Sequence, residues 1–324
     1  MNSQVHRKGS IAEAVSAIQA HDKIVIFHHI RPDGDCLGAQ HGLARLIQTN
    51  FPHKQVFCVG DPKHNFPWLE MVFTPKEQIT PELMQQALAV IVDANYKERI
   101  ECRDLLDQNQ FKAVLRIDHH PNEDDLNTTH NFVDASYIAA AEQVVDLAVQ
   151  AKWKLSPPAA TALYLGIYTD SNRFLYSNTS WRTLYLGSML YRAQANIAKI
   201  HDELNHTSLK DIQFKQYVFK NFQTFQNVIY FVADKKFQKK LKVTPLECAR
   251  VNILANIEQF HIWLFFIEEG KNHYRVEFRS NGINVREVAL KYGGGGHIQA
   301  SGAVLKSKRD IIRVVQDCQK QIAV

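Results

Sequence analysis

The chain has 324 residues, with 38 Lys+Arg against 33 Asp+Glu and a formal net charge of +5. Its hydrophobic share of 45% and charged share of 22% exclude a disordered or low-complexity chain, and the length suits about two domains. The small positive balance suits anionic substrates and is too weak for a protein of long-duplex nucleic acid.

No apolar run reaches the ~18 residues that would span a bilayer, and the first fifteen residues lack the apolar stretch of a secretory signal. Five cysteines (Cys36, Cys58, Cys102, Cys248 and Cys318) are widely spaced, with no CxxC pair. These features predict reduced thiols, a cytoplasmic location and no membrane partner.

In chain order, IAEAVSAIQA reads as a helix, KIVIFHH as a strand, LGAQHGLARLIQ as a helix and KQVFCVG as a strand. ALAVIVD and KAVLRID are two more apolar runs, too uniform for half-exposed strands. Such strands alternating with helices predict an α/β fold whose parallel sheet is covered on both faces. Residues 180 to about 225 read as successive helices. A second pattern follows: strand NVIYFVA, helix LECARVNILANI, strands HIWLFFIEE and HYRVEFRS, helix NVREVALKY, four glycines, a short strand and a last helix.

Three strand runs end in polar residues, where ligands of open α/β sheets bind. His29-Ile30-Arg31-Pro32-Asp33-Gly34-Asp35 puts one imidazole and two carboxylates on a turning segment. It fits either metal ligation or an Asx turn capping the next helix. Asp93 ends the third run and could bridge two cations or cap a helix. Asp118-His119-His120 ends the fourth, and Thr169-Asp170 follows the apolar stretch TALYLGI. His29, Asp33, Asp35, Asp93, His119 and Asp170 form an oxygen and nitrogen donor set without thiolate. Such a set suits two divalent cations, Mn²⁺ ahead of Mg²⁺ or Co²⁺. Two such ions would activate a water and stabilise a phosphoryl displacement.

The order HxxPDGD, DANxxxRI, DHH, TD and GGGGH resembles the DHH phosphoesterase family over about residues 8–320. Within it the chain is similar to the NrnA branch, small oligoribonucleases (nanoRNases) that also remove the 3′-phosphate of phosphoadenosine phosphate (pAp). The resemblance implies a catalytic metal-binding domain over residues 1–205, a helical bridge at about 190–226, and a smaller α/β substrate domain over 227–324 across a cleft. It implies that His29, Asp33 and Asp93 hold one metal and that Asp35, Asp93, His119 and Asp170 hold the other. His120 would contact the scissile phosphate and Asp118 would orient the histidines. Arg279, Ser280, the run Gly293, Gly294, Gly295, Gly296, and His297 would bind substrate. The expected substrates are RNA of two to about five nucleotides, cut to 5′-mononucleotides, and pAp, cut to AMP, with a homodimer left open. Linear pApA, or nucleotide binding without catalysis, are the alternatives.

Two positions depart from the family pattern. Ile138-Ala139-Ala140-Ala141-Glu142 replaces a Ser/Thr-rich stretch, and Asn172 stands where relatives often have glycine. The lysines at 235, 236, 239, 240 and 242 read as a solvated helix face, Trp263, Phe265 and Phe266 as core, and Cys36 as a small buried residue.

Overall fold

The computed structural model describes residues 7–120 and 124–322. The chain divides into two compact units, Met1–Asn205 and His206–Val324. In the first, the elements run β1 (Arg7–Gly9), α1 (Ile11–Ala20), β2 (Lys23–Phe27), α2 (Gly34–Asn50), β3 (Gln55–Cys58), α3 (Pro81–Met84) and β4 (Ala87–Val92). They continue with α4 (Arg103–Asp107), β5 (Ala113–Asp118), β6 (His130–Asp134), α5 (Ala140–Gln150), α6 (Pro157–Asp170), α7 (Trp181–Arg192) and α8 (Ile197–Asn205).

The six strands lie in the order β1-β6-β5-β4-β2-β3, all parallel except the β1/β6 pair. The strands read as unbroken apolar runs because alternate residues enter two different cores. Ile24, Ile26, Leu88, Val90, Leu115 and Ile117 pack with α1, α2, α5 and α6. Val25, Phe27, Ala87, Ala89 and Ile91 pack with Met84 of α3 and Leu105 and Leu106 of α4. Both faces of the parallel sheet are covered, as the patterning predicts.

The second unit runs α9 (Leu209–Asn221), β7 (Gln223–Phe225), β8 (Val228–Ala233), α10 (Lys235–Leu241), β9 (Ile262–Gly270), β10 (His273–Ser280), α11 (Arg286–Lys291), β11 (Gly295–Gly296), β12 (Ala300–Leu305) and α12 (Asp310–Ile322). Its sheet order is β11-β12-β10-β9-β8-β7, with only β8 and β9 parallel. Alternation again serves two cores. Leu264, Phe266, Val276 and Phe278 meet α11 and α12, while Trp263, Phe265 and Phe231 meet α9 and α10. The α10 lysines are exposed and Phe237 faces inward.

One expected element is absent. Residues 246–257 form two short 3-10 turns, Leu246–Cys248 and Val251–Leu254, in place of a helix. Cys248, Val251 and Leu254 all have to reach the Trp263/Phe265 face, and a chain that bends twice delivers them there. The helical stretch divides by its packing: Ile200 of α8 joins the first unit's core, and Phe214 and Val218 of α9 join the second's. Among the described residues no helix is long and apolar enough to cross a membrane.

Candidate metal centre

All six predicted ligands lie in the first unit, at the carboxyl ends of β2, β4 and β5 and at the facing ends of α2 and α6. Asp33 caps the helix and is also placed to meet a second partner. Its Oδ1 caps α2, accepting the N–H groups of Asp35 at 3.0 Å and Cys36 at 3.1 Å. Its Oδ2 lies 3.5 Å from His29 Nε2. An N-cap carboxylate uses one oxygen on the helix and keeps the other for a second partner.

Asp93 is the centre of the arrangement. Its Oδ2 is 3.3 Å from His29 Nε2, and its Oδ1 is 3.2 Å from His119 Nε2 and 3.4 Å from His120 Nδ1. The buried Oδ1 accepts no hydrogen bond of normal geometry. The backbone of Asp93 sits at φ +56°, a left-handed conformation that an Asp tolerates and that concentrates at functional sites. His119 Nε2 also lies 3.9 Å from Asp35 and 3.5 Å from Asp170. One half therefore gathers His29, Asp33 and Asp93, the other Asp35, Asp93, His119 and Asp170, and Asp93 belongs to both. Side-chain exposure is 4% at Asp93 and 1% at Asp35, against 32% at Asp170 and 54% at Asp33, so the centre opens on the Asp33 and Asp170 side.

The electrostatics fit divalent cations. Burial, with Asp93 and Asp170 nearby, pushes Asp35 well above the usual carboxylate range. Burial and the neighbouring carboxylates push Asp170 up to about 7. Burial opposes charge on His29 and His119 too, yet the surrounding carboxylates raise both well above an ordinary imidazole. Against burial, the imidazoles hold Asp33 and Asp93 below the usual carboxylate range. Asp35, Asp170 and the two imidazoles thus retain protons where positive charge is needed, and an orphaned buried oxygen of Asp93 points among them. Cations would replace those protons. Cys36 Sγ comes within reach of His29 and Asp33. Burial pushes its thiol up to about 12, and it donates to the Asp33 carbonyl at 3.7 Å.

Sequence reading named Asp118 but missed the arginine that holds it in place. Arg116, wholly buried inside β5, donates through Nε at 3.0 Å and through its terminal nitrogen to Asp118 Oδ2, and also at 2.9 Å to Asp124. Asp118 Oδ1 accepts His120 N–H at 3.1 Å and its ring Nδ1 at 2.8 Å, which fixes the imidazole. Burial alone would raise Asp118; His120 and Arg116 instead hold it well below the usual range. An arginine within an otherwise apolar run was the available signal.

The alanine segment works through its backbone. Ala140 N–H and Ala141 N–H at the start of α5 donate to the Asp35 carboxylate at 2.7 and 2.8 Å. A helix N-terminus suits an anion there. Gly166 of α6 leaves room for this contact, since a Cβ would lie 2.4 Å from Ala141 Cβ and 2.8 Å from Asp35 Oδ1. Asn172 adopts φ +47°, which suits a position where relatives often have glycine.

The expected substrate groups lie in the second unit. Arg279 on β10 donates to the Phe278 carbonyl at 2.9 Å. Ser280 is buried, with its hydroxyl on the Ile283 carbonyl at 2.5 Å. Gly295 and Gly296 are ordered as a strand against β12, and the His297 carbonyl accepts Ser301 Oγ at 2.7 Å. Gly296 needs its residue type: φ is +132°, and a Cβ would lie 2.6 Å from the Ala300 carbonyl.

Residues 23–167 match the DHH family N-terminal domain, and residues 226–323 match the DHHA1 domain. The chain is 61% identical over 316 residues to the bifunctional oligoribonuclease and PAP phosphatase NrnA of Mycoplasma genitalium, covering 98% of this chain and 99% of that one. It is 32% identical to the protein of the same name from Bacillus subtilis, over 95% and 97% of the two chains. The crystal structure of an exopolyphosphatase-related protein from Bacteroides fragilis has the same fold, with a TM-score of 0.83 at 22% identity over 96% of this chain and 95% of that one. With its DHH-motif side chains converging on Asp93 and a DHHA1 domain following, the chain belongs to the DHH phosphoesterase family, in the branch of the NrnA proteins.

Proposed function

We propose that this hydrolase cleaves RNA of two to about five nucleotides to 5′-mononucleotides, and pAp to AMP, at one site holding two divalent cations. The observation that carries the reading is the Asp93 carboxylate, whose two oxygens face opposite imidazoles. The 61% identity to a protein named for both activities supports the substrate pair. His29, Asp33 and Asp93 would hold one cation; Asp35, Asp93, His119 and Asp170 would hold the other. The all-oxygen-and-imidazole set favours Mn²⁺. When bound, the pair supplies an activated water and neutralises phosphoryl charge.

The protein's own groups do the positioning. Asp118, charged and gripped by Arg116, keeps His120 oriented toward the phosphate. Arg279, the Gly293–Gly296 backbone and His297 are assigned to substrate phosphates. Ser280 anchors the turn through Ile283. Five free cysteines favour the cytoplasm.

The test is a hydrolysis panel in Mn²⁺ with pAp, a dinucleotide, a 5-mer, a 24-mer and pyrophosphate. Fastest turnover is expected with the dinucleotide or 5-mer, slow turnover with the 24-mer, and competitive inhibition of RNA cleavage by pAp. Preference for pyrophosphate, or processive degradation of the 24-mer ahead of the 5-mer, would refute the assignment.

A further inference from the structure

The second unit contains a cavity of about 730 Å³ lined by none of the six candidate metal ligands. It is walled by Lys215 and Phe219 of α9, by Asn252 in the second 3-10 turn, and by Glu277 and Arg279 of β10. Pockets of 300–1,000 Å³ are the size that small ligands occupy. The charges here are not arranged for internal pairing. Arg250, at one wall, is already committed to Asp211 and stacked on Phe214, and Glu277 is balanced by Arg275. Among the described residues neither Lys215 nor Arg279 has an acidic partner, so the cavity keeps two cations in excess.

An aromatic ring accompanies them. Phe219 is 50% exposed, although the neighbouring Phe214 and Val218 of the same helix are fully buried. Asn252 turns its Oδ1 toward the Trp263 indole, 3.5 Å away, and retains an amide NH₂ for a further acceptor. A flat exposed ring, an amide donor and two unpaired cations around one cavity match the parts of one nucleotide.

We propose that this cavity binds a nucleoside monophosphate unit, with the base on Phe219 and Asn252 and the phosphate on Lys215 and Arg279. Base–aromatic stacking tolerates any base, which suits an enzyme of unspecific short RNA. The role of the cavity in turnover rests on the function proposed above; its occupancy by a nucleotide does not.

The experiment is calorimetry on the full chain in EDTA, which removes cations from the metal centre, with AMP, ribose 5-phosphate and inorganic phosphate as probes. AMP is expected to bind more tightly than ribose 5-phosphate by roughly 5- to 150-fold, the range for one stacked base. Phe219→Ala should erase that difference, and Lys215→Gln should weaken AMP and ribose 5-phosphate by the same factor. Both side chains are at the surface, so the variants keep their fold, which circular dichroism checks. Equal affinity for AMP and ribose 5-phosphate, or an unchanged AMP affinity in Phe219→Ala, would overturn the proposal. Binding of all three probes alike would mark an anion patch only and also overturn it. A failed hydrolysis panel with an intact Phe219 effect would instead remove the proposed function and keep the site.

Discussion

The carboxylate of Asp35 accepts the backbone N–H of Ala140 at 2.7 Å, although 105 positions separate the two residues. This contact, repeated at Ala141, ties the first turn of α2 to the first turn of α5. It explains how alanines can stand where hydroxyl side chains were expected. The candidate centre is thus assembled by helix packing as much as by the strand ends.

The tightness of that packing gives a first test. Gly166→Ala would push a methyl group against Ala141 and Asp35. Overpacking of this kind costs about 1–3 kcal/mol. A lower melting temperature is expected together with weaker Mn²⁺ affinity by titration. A variant with native stability and native metal affinity would show that the helices have slack at this point.

Asp93→Ala should abolish turnover, by roughly 10³-fold or more, because both halves of the proposed centre lose the carboxylate they share. Bound Mn²⁺, measured by elemental analysis, should fall from two per chain to one or none. The metal-free variant should melt below the metal-free parent near neutral pH, since His29 and His119 lose the buried carboxylate that keeps them charged and that they keep ionised. Two tightly bound ions in the variant would remove Asp93 from the bridging position.

Arg116→Leu takes the guanidinium from buried Asp118 and leaves Asp124 with Lys8 alone, 3.4 Å away. Breaking a buried pair by removing one partner costs about 3–5 kcal/mol. Urea unfolding should show that loss, and Arg116→Leu/Asp118→Leu should recover part of it. A single variant within about 1 kcal/mol of the parent would mean that other groups satisfy the carboxylates.

His41 sets an acid limit on stability. Burial, with Arg45 and His28 nearby, pushes its imidazole from 6.5 down to about 3. The unfolded chain takes up a proton that the folded chain refuses. Its contribution is therefore complete above about pH 6.5 and is lost progressively as the pH falls toward 3. His41→Phe keeps a ring beside Phe73, now 4.8 Å between centroids, and should flatten the fall in melting temperature between pH 6.5 and 4. Equal slopes for the two proteins would exclude His41 as a cause.

Much of the molecule is legible in the order of its residues. Period-two and period-3.6 patterns, uniform apolar strands and polar strand ends are local properties, and they determine a two-sided parallel sheet with His29, Asp33, Asp35, Asp93, His119 and Asp170 at its rim. The aromatic core of the second sheet was legible for the same reason. Residues 246–257 misled because helical spacing of apolar residues is also satisfied by a chain that bends to fill one core.

Tertiary structure alone decided the rest. Which oxygen of Asp93 faces which imidazole depends on strand register and on a left-handed backbone. That Arg116 supports Asp118 depends on a side chain folding back along its own strand. That two alanines clamp Asp35 uses backbone N–H groups, which every non-proline residue carries and which no sequence pattern distinguishes. Residue types and their order specify which chemistry is available; long-range packing brings those groups to within 2.7–3.9 Å of one another.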